Sequence, residues 1–187
     1  MKKFVDLNLR VQIGKGERRR AEELVSRSSE LGYRAVGVPI PLATSQEDLQ
    51  DLEQILKENG MELIRRGDLK PRSIREMMDS LRRLRRNREV ITVYCNSKAI
   101  ARQAAKDHRV DLIAYSSTNP KKRFFDSAQA ELASKASAAL EIDAEPLLTL
   151  SGFQRARLIA RLRKEAAMAR KFEVPIVISS GTSDWYM

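Results

Sequence analysis

Val90-Ile91-Thr92-Val93-Tyr94, a helix-forming stretch from Ser97 to Asp107, and Val110-Asp111-Leu112-Ile113-Ala114-Tyr115 follow one another without a break. The two flanking runs are short, apolar and partly β-branched, which marks them as strands. A helix between two strands is the crossover that parallel pairing requires, because parallel neighbours need a connection of about a dozen residues or more. This stretch therefore predicts a strand–helix–strand unit.

The same alternation extends in both directions. Upstream, Phe4 to Val11 reads as a strand ending near Gly14 and Gly16, and a helix from Glu17 to Leu31 stops at Gly32. Ala35 to Ile40 is a strand. Ser45, with Asp48 three residues on, caps a helix that runs to Asn59-Gly60. Glu62 to Arg66 is a strand and Ser73 to Arg86 a helix. Downstream, Asp126 caps an Ala-rich helix ending near Ser137, before the strand Ala139 to Ile142. A long helix from Ser151 to Phe172 then precedes the strand Pro175 to Ser180.

Seven strands joined by helices fit a closed barrel or an open doubly wound sheet. The polar residues Asp6, Asn8, Ser116, Ser117, Glu141, Asp143, Ser179 and Ser180 sit at or beyond strand C-terminal ends. In a barrel they converge on one mouth. The expectation is thus a TIM-barrel-like (β/α) barrel of about seven parallel strands in one domain, residues 1–187. Such barrels typically run to about 250 residues. At 187 residues, this one is expected to be incomplete at its C-terminus or cut short there.

Composition bounds the partners. The formal net charge is +10 and the pI near 10.0, which points to a polyanion. Cys95 is the chain's one cysteine, so no intrachain disulfide forms, consistent with a reducing compartment. Phe4-Val5-Asp6 interrupts any signal-peptide core after Met1-Lys2-Lys3, and no apolar run approaches the roughly 20 residues that span a bilayer. The chain is expected to be soluble, cytoplasmic and without a membrane partner.

The charge is concentrated. Between Arg65 and Arg88 ten cations face three acids. On the helix there, Ile74, Met77, Met78, Leu81 and Leu84 form a core-facing stripe, which turns Arg75, Arg82, Arg83 and Arg86 outward. The long helix near the C-terminus repeats the design, with Leu158, Ile159, Leu162, Ala166 and Ala169 inward and Arg157, Arg161, Lys164 and Lys171 outward. One charged face merely keeps a helix soluble, but such faces usually mix signs. Two lopsided, arginine-rich faces favour phosphate contact. Candidate contacts are Arg65, Arg66, Arg75, Arg82, Arg83, Arg86 and Arg88 on the first segment. Arg109, Lys121, Lys122 and Arg123 join them from loops, and Arg157, Arg161 and Lys164 from the long helix.

Catalytic groups are scarce. Asp6, Asn8, Glu141 and Asp143 are the available oxygen ligands, but their spacing matches no metal motif. His108 lies in a polar loop, and Cys95 reads as a small buried hydrophobe. Phe124-Phe125 reads as a core anchor. No catalytic residue and no metal site is expected.

Phe4-Val5-Asp6-Leu7-Asn8, Arg109-Val110-Asp111-Leu112-Ile113, Phe125-Asp126, the stretch to Ala139-Leu140-Glu141-Ile142, and Val174-Pro175-Ile176-Val177-Ile178-Ser179-Ser180-Gly181 occur in this order along the chain. This ordered set resembles the archaeal ribonuclease P protein component 3 family. The resemblance implies a barrel related to the polymerase-and-histidinol-phosphatase superfamily of metal phosphoesterases. Those enzymes carry a His-x-His pair on the first strand. Here Asp6-Leu7-Asn8 stands instead, so their metal centre should be absent.

The resemblance also implies a role within a ribonucleoprotein that removes 5′ leaders from precursor tRNA. Catalysis would belong to the ribonuclease P RNA and its Mg²⁺, with no cofactor on the protein and none of its residues catalytic. The basic residues above become candidate RNA-binding residues. Asp6, Asn8, Glu141, Ser179 and Ser180 become a polar cluster at the barrel mouth. Implied partners are the RNA, protein component 2 (as a heterodimer or heterotetramer), the other protein components and, indirectly, precursor tRNA. Family members usually continue past Ser179-Ser180-Gly181 into a closing helix. The rival expectation is a stand-alone metal-dependent phosphoesterase using Asp6, Asn8, Glu141 and Asp143, and a third is a plain protein scaffold.

Overall fold

In the computed structural model, which describes residues 4–14, 16–116 and 122–184, strands and helices alternate along the chain. The strands are β1 (Phe4–Asp6), β2 (Tyr33–Pro39), β3 (Glu62–Leu69), β4 (Val90–Tyr94), β5 (Leu112–Ala114), β6 (Ala139–Asp143) and β7 (Ile176–Ser179). The helices are α1 (Arg18–Glu30), α2 (Gln46–Glu58), α3 (Ile74–Leu84), α4 (Lys98–Lys106), α5 (Ser127–Ala136), α6 (Glu145–Thr149) and α7 (Gly152–Lys171). Each strand pairs in parallel with the next, giving the order β1-β2-β3-β4-β5-β6-β7. The sheet curls into a nearly closed barrel with helices outside, as the sequence predicts.

Helix starts follow side-chain chemistry. Ser45, Ser73, Ser97 and Asp126 each accept a hydrogen bond from the backbone N–H three residues on, satisfying one of the donors a helix N-terminus leaves open. At α3 the arrangement is reciprocal in spirit: Glu76 donates its N–H to Ser73, and its carboxylate accepts the Arg72 N–H at 2.8 Å.

The core lies between sheet and helices, in two bodies. One joins β4, β5 and β6 to α3, α4, α5 and α7 around Met77, Leu81, Ile91, Ile113 and Leu140. The other joins β2 to α1 and α2 around Val25, Val36, Val38, Leu52 and Leu56. Phe125 is buried in the first of these and meets Tyr115 edge-on at 6.5 Å, a core anchor as expected.

Two departures from the sequence reading concern the ends. The ladder with β2 holds only Phe4–Asp6 of the expected first strand; residues 7–14 run on beside β2, where Leu9 donates its N–H to the Gly37 carbonyl at 2.9 Å. They pass so close to Gly37 that a Cβ there would lie 2.5 Å from the Leu7 carbonyl oxygen, so only glycine fits. The short helix α6 was not expected.

No ladder joins β7 back to β1. Past the strand ends, Gly181 donates its N–H to the Asn8 carbonyl at 3.0 Å, Arg10 to the Thr182 carbonyl at 2.8 Å, and Ser180 to an Asp6 carboxylate oxygen at 3.0 Å. The flanking apolar side chains stay uncovered, including Phe4, Val5, Ile176 and Ile178, the last 71% exposed. Among the described residues no helix is long and apolar enough to cross a membrane.

Candidate nucleic-acid interface

The five residues of the expected mouth cluster do come together, but beneath the mouth and in contact with one another. At their centre is Arg66, with no exposed surface. Strand alternation decides this: Arg65, Gly67 and Leu69 of β3 face helices, so Arg66 and Asp68 face the lumen. Arg66 forks onto both Glu141 carboxylate oxygens, donates to Asp68 at 2.6 Å and to the Leu7 carbonyl at 2.7 Å, and reaches the Tyr94 hydroxyl at 3.3 Å. Burial weighs against its charge, but Glu141, Asp68 and Tyr94 outweigh that and hold its pKa above the ordinary value. Burial also pushes the Glu141 carboxyl up, while Arg66 and the Ser179 hydroxyl (2.6 Å) pull it back.

A second group closes the seam. Asp6 accepts the Asn8 and Ser180 N–H groups and the Ser180 hydroxyl. Asn8 donates its amide to Asp143 at 2.7 Å, and Arg10 bridges Asp143 at 2.8 Å and Glu145 at 3.0 Å. These oxygens are engaged in holding strand ends together, and no group of three or more His, Cys, Asp or Glu among the described residues is placed to hold a metal ion. A cavity of about 910 Å³ opens above them, where barrel enzymes carry their chemistry. Among the described residues its charged lining cancels, with Arg10, Lys70 and Lys122 against Asp68, Asp143 and Glu145. Cys95 at its base is buried, and burial pushes the thiol up to about 12.

The outer surface is different. Arg75, Arg82, Arg83 and Arg86 on or just after α3 are exposed, as are Arg157, Arg161 and Lys164 on α7. Among the described residues none of the seven has an acidic partner within 4.0 Å; the ion pairs of the chain lie elsewhere. Helix α1 is the contrast. Its Arg18, Arg19, Arg20 and Arg27 each meet a nearby Glu at 2.8–3.6 Å, a solubilising face of mixed sign. Helices α3 and α7 are set apart in the outer ring, with α4 and α5 packed in between, so the two unpaired faces occupy different sectors.

The remaining candidates divide. Lys122 is exposed at the mouth. Arg65 pairs with Glu53 at 2.6 Å, and Arg109 is held by Asp107 at 2.7 and 2.9 Å, a hydrogen bond that lowers the Asp107 pKa. Arg88 is half-buried against the Ile40 and Asn87 carbonyls. Two expectations are corrected. Arg66 lies in the lumen rather than on the surface. Arg123 is 5% exposed and forks onto the buried Glu165 of α7 at 2.6 and 2.8 Å, with Tyr115 beneath it. Lys121 and the strand-end Ser117 lie outside the described residues.

Sequence reading overlooked Glu165, although it falls on the inward stripe of α7 with Leu158, Leu162 and Ala169, where an acid demands a buried cation. It also passed over exposed Arg155, Arg163 and Arg170, which carry the charge of α7 around to the other side of its inward stripe.

The family described as RNase P subunit p30 matches residues 3–187. Ribonuclease P protein component 3 of Methanocaldococcus jannaschii is 26% identical over 142 residues, 76% of this chain and 61% of that protein. Its counterpart in Methanosarcina mazei is 28% identical over 166 residues, 88% of this chain and 67% of that protein. The chain thus spans about two thirds or less of these relatives' length. A chain in a cryo-EM structure of archaeal ribonuclease P with mature tRNA superimposes with a TM-score of 0.82, covering 98% of this chain and 76% of the other. At 24% identity that likeness is one of fold.

Proposed function

Because the chain belongs to the RNase P subunit p30 family, we propose that it is a protein subunit of the ribonuclease P ribonucleoprotein, one that binds and steadies the catalytic RNA during removal of 5′ leaders from precursor tRNA. In this reading Mg²⁺ and the reacting groups belong to the RNA, and the isolated chain breaks no phosphodiester bond. Protein component 2 is its nearest protein partner in the assembly, and precursor tRNA is met indirectly.

One observation carries the reading: the cations of α3 and α7 lack acidic partners among the described residues, whereas those of α1 have them. Leaving many arginines unneutralised on a surface costs stability through self-repulsion, and a polyanion relieves it. Each phosphate contact releases counterions, so binding of this kind is steeply salt-dependent. The lumen points the same way. Its carboxylates are tied to Arg66, Arg10 and Ser180, so the phosphoesterase reading lacks an open set of ligands.

The test is reconstitution of precursor-tRNA cleavage from the ribonuclease P RNA, with and without this chain and component 2. The proposal expects the pair to lower the Mg²⁺ needed for cleavage and the chain alone to be inert. Phosphoester hydrolysis by RNA-free chain carrying a stoichiometric metal would establish the rival instead.

A further inference from the structure

The α6–α7 corner carries an aromatic ring that the fold does not use. Phe153, the second residue of α7, is 74% exposed, and Leu148 on α6 is 63% exposed. One turn on, the Arg157 guanidinium lies over the Phe153 ring, 5.3 Å from its centroid. With a cation on one face and the ring so exposed, the opposite face is open to solvent.

The surroundings identify the occupant. Phe153, Arg157, Arg161 and Lys164 recur at spacings of four, four and three, so they share one stripe of the helix. At 1.5 Å per residue the stripe is roughly 16 Å long. The helix has a single acid, Glu165, which is buried and matched by Arg123. Nothing on α7 therefore offsets the charge around the ring. A protein partner would bury an apolar core depleted of charge, within roughly 800 Å² on each side. Here two apolar residues stand among guanidinium groups. One flat face beside a row of cations matches a base with its phosphates.

A base inside an A-form duplex has both faces covered by its neighbours, so only an unpaired one can reach the ring. We propose that the start of α7 is a binding site for a single unpaired RNA nucleotide, whose base stacks on Phe153 while the flanking phosphates lie along Arg157, Arg161 and Lys164. The inference rests on the RNA-binding reading and adds to it a distinct contact. Stacking sets its preference for an unpaired base, and the cations hold the flanking phosphates.

The experiment uses the full chain and two RNA hairpins, one with a bulged 2-aminopurine and one fully paired. Wild type binds both and quenches the bulged fluorophore. Phe153→Ala loses about tenfold in affinity for the bulged hairpin, keeps its affinity for the paired one, and leaves the salt slope unchanged. Phe153→Tyr restores the quench. Arg157→Gln with Arg161→Gln weakens both hairpins and flattens the slope. Equal effects of Phe153→Ala on the two hairpins, or none on either, overturn the stacking site. So does loss of association with another protein component in place of any RNA effect. If wild type binds neither hairpin, the RNA-binding reading itself fails.

Discussion

Arg66 and Glu141 are each worth more as a pair than as individuals. Both lie in the lumen, where an ionised group without a partner is costly. Arg66→Met would leave Glu141 buried without a counter-charge, and a loss of about 3–5 kcal/mol is expected. Arg66→Met combined with Glu141→Leu should recover much of that, because the second change removes the stranded charge. Urea unfolding of wild type and the two variants checks this, and a double variant no more stable than the single would show that the pair is not coupled. Asp6 belongs to the same logic, so its substitution should damage folding before any RNA-dependent activity. Cys95 provides a second residue-scale test. Burial raises its thiol to about 12, so almost none is thiolate at pH 8, and the side chain is also out of reach. Native chain should therefore resist a thiol reagent at that pH and react only as urea unfolds it. Rapid stoichiometric labelling without denaturant would contradict the buried placement.

At the scale of elements, what distinguishes the outward cations of α3 and α7 from those of α1 is the lack of acidic partners among the described residues rather than the number of arginines. Replacing Arg82 and Arg86 with Gln should weaken RNA binding and reduce the slope of log affinity against log salt by about one for each phosphate no longer neutralised. The matched control is Arg19→Gln with Arg27→Gln on α1, where each arginine already faces a glutamate. That variant should leave the slope unaltered; a fall as large as that of the α3 variant would place the binding face elsewhere. The strand and helix pattern was legible in the sequence because Val90–Tyr94 and the Ser45 and Asp126 caps carry local signals. Arg66 and Arg123 were misplaced because a cation in a charge run looks the same whether it faces water or a buried carboxylate. Period-two alternation along β3 held the correction for Arg66. For Arg123 the partner, Glu165, lies 42 residues away, and no local pattern joins them.

For the molecule as a whole, residues far apart in sequence are brought together by the curl of the sheet. Asp6, Asn8, Asp143 and Ser180 meet only because β1 and β7 end side by side. The polar ends of these strands announced a shared mouth, yet the sequence did not show that they would bond to one another and leave a charge-balanced cavity above. The two unpaired cationic faces, on separate sectors of the ring, likewise follow from the order of crossovers and could not be read from either helix alone. The circle of strands is fastened in one place by hydrogen bonds from loop residues rather than by a ladder. Openings of small amplitude should begin there, since local stability follows the density of shielded hydrogen bonds. Under deuterium exchange the amides of Arg10, Ser180 and Gly181 should label well before those of Ile91, Val93 and Ile113. Uniform protection across both sets would mean that the join is as firm as the centre of the sheet.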